Sequence, residues 1–104
     1  MTLNTITKKE ALELFKNADT VTMREYFAID PQTREERAAI GGLIGRERKV
    51  TATKSNAVRL DESWLTIDSL TEVFRDDRGF IVVYSLDDRR QPLARMTYDV
   101  DPGE

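Results

Sequence analysis

The chain of 104 residues contains neither cysteine nor histidine. Those two absences exclude disulfides, thiol nucleophiles, zinc sites built on thiolate or imidazole, and the one side chain whose ordinary pKa lies near neutrality. Catalysis would have to rest on Asp, Glu, Lys, Tyr or Ser with displaced pKa values, or on Mg²⁺ held by carboxylates such as Asp61, Glu62 and Asp68. The expectation is a protein that is not an enzyme, with no cofactor and no metal. No apolar run approaches the roughly 18 residues that a membrane span requires. The opening "MTLNTITKKEALELF" lacks the basic, apolar and small-residue order of a signal peptide. Both point to a cytoplasmic protein with no membrane partner.

Length allows one domain over residues 1–104, burying roughly 60 to 70% of the surface of its unfolded chain. Charged residues are 34% of the composition, above the usual figure of about 25%. The charge is unevenly spread. Residues 34–60 hold seven Lys and Arg against three Glu, whereas residues 61–104 hold five Arg against eleven Asp and Glu. A basic middle next to an acidic final third is a pattern compatible with an anion-binding patch.

Two stretches match the capping box, in which a Thr hydroxyl and a Glu carboxylate each satisfy a free backbone N–H: "TKKE" from Thr7 and "TREE" from Thr33. The first predicts a helix from Lys8 to Ala18 with Ala11, Leu14, Phe15 and Ala18 on its inner face. The second predicts a helix that starts after the turn pair Asp30-Pro31 and ends near Gly45. Between them "TVTMREYFAI" predicts a strand with Val21, Met23, Phe27 and Ile29 on one side, interrupted by Glu25. Beyond Gly45, "RKVTATK", "NAVRL", "SWLTI", "TEVFR", "FIVVYSL" and "PLARMTYDV" read as strands separated by turn-like "SN", "DE", "DS", "DDRG" and "DDRRQ". "FIVVYSL", apolar on both parities, is the candidate central strand. The predicted fold class is therefore α+β, with two helices in the N-terminal half packed on an antiparallel β meander of four to six strands.

Two constellations are candidates for function. On the predicted second helix, Ile40, Leu43 and Ile44 fall on one side, while Ala38, Gly41, Gly42 and Gly45 fall on nearly the opposite side. Glycine in a helix interior costs about 1 kcal/mol relative to alanine. The smooth side is read either as close packing inside the molecule or as a face on which a partner backbone, a second copy included, approaches closely. Gly42 and Gly45 also have the spacing of a KH-type loop, but the glycines end one helix instead of joining two, and no P-loop Gly-Lys-Ser/Thr follows.

The second constellation is "KVTATKSNAVRLDESWL", in which Lys49, Thr51 and Thr53 share the parity opposite to Val50 and Ala52. Arg46, Arg48, Lys49, Lys54, Asn56 and Arg59 supply donors for an anion or a nucleotide. Trp64 is read either as a ring that stacks on a base or as a core anchor.

"VTATKSNAVRLDESWLTID", following "TKKEALELFKNADTVT", resembles small uncharacterised proteins encoded by tailed phages. The resemblance implies an accessory protein of the bacterial host cytoplasm that inhibits a host defence protein by docking on it, and it carries no catalytic residue. Two functions follow: a non-enzymatic binder of a host protein, or a binder or sponge of nucleic acid or small nucleotide signals through the basic strand pair 46–59.

Overall fold

The computed structural model describes residues 3–38 and 44–102. Among them the chain forms β1 (Leu3–Thr5), α1 (Lys8–Lys16), β2 (Thr20–Ile29), β3 (Glu36–Ala38), β4 (Glu47–Lys54), β5 (Ala57–Leu60), β6 (Ser63–Thr66), β7 (Thr71–Asp76), β8 (Ile81–Leu86) and β9 (Pro92–Asp101). The architecture is mainly β with one short helix, which overturns the prediction of two helices on a meander.

The first helix forms where the sequence places it. Thr7 Oγ1 accepts the N–H of Glu10 at 3.0 Å, and the Glu10 carboxylate reaches back to the Thr7 N–H, completing the capping box. Ala11, Leu12 and Phe15 are buried, and Lys8 Nζ donates to the carbonyl of Asp68 at 2.7 Å.

Among the described residues the second helix is absent, and its predicted N-terminus is a hairpin loop. Asp30 Oδ1 accepts the N–H groups of Gln32 and Thr33, and Thr33 Oγ1 accepts the N–H of Glu35 and not that of Glu36. Arg34 takes a left-handed φ of 65°, which no helical turn accommodates. The loop returns the chain as β3, antiparallel to β2 with Ile29 opposite Glu36. Local side-chain bonding by Asp and Thr has outcompeted the helical alternative that the same residues offer. The final predicted glycine, Gly45, does adopt a left-handed φ of 81°, but in the turn that leads into β4.

The strand order is β1-β7-β8-β9-β2-β4-β5-β6, with β3 also on β2. The chain is therefore two antiparallel three-stranded meanders, β4-β5-β6 and β7-β8-β9, joined by β2 between β4 and β9. α1 packs against β4 and β5 from one meander and β7 from the other, so the sheet curls around it. The core under the helix gathers Ala11, Phe15, Val21, Met23, Val58, Leu60, Val73, Ile81, Val83 and Tyr98. Phe15 and Tyr98 meet edge to face with centroids 5.5 Å apart. β8 lies between β7 and β9 with Ile81, Val82 and Val83 all buried, as its two-sided apolar pattern requires.

In β2 the register shifts between Met23 and Glu25. The bulge corrects the predicted face: Glu25 and Phe27 turn away from the helix, opposite Thr97 and Arg95, while Tyr26 packs on the core. Outside, Glu25 meets the Arg78 guanidinium at 3.3 Å, and Phe27 lies under Arg95, whose guanidinium carbon is 4.6 Å from the ring centroid. The β7–β8 turn is held by the buried Asp76 carboxylate, which accepts the N–H groups of Arg78 and Phe80 and the Arg78 guanidinium. No helix among the described residues is long and apolar enough to cross a membrane.

Candidate anion site on the β4–β6 meander

Of the residues predicted to form a smooth docking face, Gly41 and Gly42 lie outside the described residues. Ala38 is an exposed residue of β3 and Gly45 is in a turn, so the helical face argued from their 100° spacing does not exist between these two. Open space surrounds a Cβ placed on Gly45. Its need for glycine is its positive φ alone.

The predicted basic constellation divides into two places. At the far end of the meander, Lys54 Nζ lies 4.3 Å from the centroid of the Trp64 ring, and Arg59 is directly opposite Trp64 across the β5–β6 ladder. Trp64 is 42% exposed, which corrects the core-anchor reading, and the lysine already occupies one face of its ring. Asn56 is in the turn between β4 and β5, and its carbonyl accepts the N–H of Ile67 at 2.8 Å. Lys49 and Thr51 are exposed, as their parity predicts. Thr51 Oγ1 donates to the carbonyl of Asp61 at 2.9 Å, beside the register shift between Val50 and Ala52.

At the near end, where β4 joins β2, Arg46 and Arg48 line an open cleft of about 400 Å³ with Leu60, Asp61, Glu62 and Ser63. Three segments build it. Arg46 immediately precedes β4 and Arg48 is its second residue, Leu60 ends β5, and Asp61 and Glu62 form the two-residue loop before Ser63, with Leu60 opposite Ser63. Asp61 takes a φ of 53° in that loop, a conformation that Asp tolerates better than most residues. Its Oδ1 accepts the N–H of Lys49 at 3.2 Å, which ties the loop back to β4.

Arg48 is the unusual member. It is 5% exposed, stands opposite Val21 on the inner face, and carries no side-chain hydrogen bond or ion pair among the described residues; its Nε is buried without a partner. Buried charges are ordinarily paired, because removing a cation from water without an anion is costly. Its charge is felt nearby. Burial pushes the phenol of Tyr98 up to about 12, and the positive charge of Arg48 pulls in the other direction. The side chains of Arg46, Glu62 and Ser63, also on the cleft, likewise have no hydrogen bond or ion pair among the described residues.

Of the seven residues expected to bind an anion, the fold brings Arg46 and Arg48 together, gathers Lys54, Arg59 and Trp64 elsewhere, and leaves Lys49 on the opposite face of β4 from Arg48. The expectation missed Ser63 and Leu60 as cleft residues. Carrying the alternation of Val50 and Ala52 back by two residues places Arg48 on the inner parity, and that was the available signal.

No family model, no curated protein and no solved structure matches the chain. The resemblance to phage-encoded proteins rests on the residues quoted for it.

Proposed function

We propose that the protein is a non-enzymatic binding protein whose β4–β6 cleft captures an anionic group on Arg48. One observation carries this reading: Arg48, 5% exposed as a residue and with its Nε buried without a partner, has no carboxylate partner among the described residues and lines a cleft that also holds Arg46 and Ser63. An arginine fork presents parallel N–H donors that match carboxylate or phosphate oxygens in pairs. An incoming anion supplies the counter-charge that the described residues do not. A small ligand fits this arrangement better than a polynucleotide, since the remaining cations do not track along a groove and the exposed Trp64 ring carries Lys54 on one face.

The test is calorimetric titration of inorganic phosphate, and of acetate as a small carboxylate, into the wild type and into Arg48→Met, with circular dichroism to confirm that both are folded. The expected result is saturable binding by the wild type, weakened at least tenfold in the variant. A folded wild type that takes up neither phosphate nor a small carboxylate, or a variant that binds equally well, refutes the proposal.

A further inference from the structure

We infer, on the strength of the anion-capture reading above, that the ligand is a small anion carrying hydrogen-bond donors beside its charge, and not a bare anion. The cleft has two poles. Arg46 enters from just before β4 and Arg48 from its start, while Asp61 and Glu62 enter from the loop between β5 and β6. One Asp61 oxygen is used on the Lys49 N–H, and the Glu62 carboxylate has no partner among the described residues. A bare dianion seated on the two guanidinium groups would leave those acceptors unmet and would meet two like charges across the cleft. A ligand that turns an ammonium or hydroxyl groups toward Asp61 and Glu62 removes both defects, and Ser63 offers either pole a hydroxyl.

Size and lining limit the ligand further. A cleft of about 400 Å³ is near the small end of ligand sites. Among the described residues Leu60 is its one apolar residue and no aromatic ring lines it, so these residues offer no platform for a base. What remains is an anion a few carbons long with adjacent donors. Free amino acids and sugar phosphates both have this chemistry.

Two matched pairs separate these sources: acetate against free glycine, and methyl phosphate against ribose 5-phosphate, each titrated calorimetrically into the full chain at neutral pH. In at least one pair the donor-bearing member is expected to bind at least tenfold more tightly, and that pair identifies the source. Glu62→Ala, at an exposed loop position, should bring that member down to the level of its bare partner. Equal affinities within both pairs, lost in Arg48→Met, would overturn this inference and leave anion capture standing. A preference that survives both Glu62→Ala and Asp61→Asn would overturn it as well. If none of the four binds, the anion-capture reading itself is wrong.

Discussion

Replacing Arg48 by methionine should make the protein more stable while destroying its proposed function. The two side chains are similar in length and unbranched along the stem, so methionine can follow the same path against Val21 with little repacking. Arg48, 5% exposed as a residue and with a buried Nε that has no partner, bears a desolvation cost that no ion pair among the described residues offsets. Such a cost is several kcal/mol for a fully buried ion, and access to the open cleft lowers it. A gain of roughly 1 to 3 kcal/mol is expected for Arg48→Met, and in a domain of this size each kcal/mol raises the melting temperature by about 4 °C or more. Added anion should work in the other direction. At 100 times its dissociation constant it stabilises the wild type by about 2.7 kcal/mol and leaves the variant unchanged. Urea titrations of both proteins, with and without phosphate, therefore give four midpoints whose order is fixed in advance. The reasoning fails if Arg48→Met loses more than about 1 kcal/mol in anion-free buffer, the penalty expected for a guanidinium whose bonds the fold needs.

Two further expectations concern the framework that supports the cleft. Burial acts to raise the Asp76 carboxyl, but the Arg78 guanidinium and the N–H groups of Phe80 and Arg78 outweigh it and hold the group below its ordinary value. Its contribution is thus present above about pH 4 and is lost as pH falls through the depressed folded value; Asp76→Ala should cost roughly 3 kcal/mol near neutrality and flatten the acid limb of a stability profile, and an unchanged limb would refute this. The Tyr98 phenol, held at about 12 by burial, stays protonated while the unfolded chain loses that proton near pH 10. Between those values stability should fall by roughly 1.4 kcal/mol per pH unit, and Tyr98→Phe should remove that slope in alkaline unfolding curves; an identical slope in both proteins would contradict it.

Much of the sheet was legible because its strands are punctuated. All six segments marked after Gly45 are strands, separated by the marked Asp-, Ser- and Asn-rich turns, and the two-sided apolar "FIVVYSL" is central. The order of the strands was not legible. β2 sits between β4 and β9, a pairing of residues 20 to 29 with residues 92 to 101 that no local pattern encodes. The false second helix has a physical origin too. A Thr and a Glu three residues apart satisfy a helix N-terminus, but Asp30 and Thr33 can satisfy the same N–H groups in a loop, and pairing of the following residues with β2 decides between them. Capping chemistry is a local preference, and here the tertiary ladder overrides it.

The site was half legible, and the reason lies in two charged residues on apolar parities. Glu25 interrupts the alternation of Val21, Met23, Phe27 and Ile29. The backbone relieves the conflict with a bulge that turns Glu25 outward to Arg78. Arg48 interrupts nothing visible, since it precedes Val50 and Ala52, and a strand-starting arginine is easily taken for a solvated one. Yet it stands in the row of Val21 and Val100, as an apolar residue would. β4 has a bulge of its own, but it falls after Val50, too late to turn Arg48 outward. The same fold thus solves one charge conflict with an available device and leaves the other in place, beside a cleft with a second arginine. A retained conflict of this kind needs a compensating gain. Anion capture supplies one that packing does not, because packing alone would be served better by methionine.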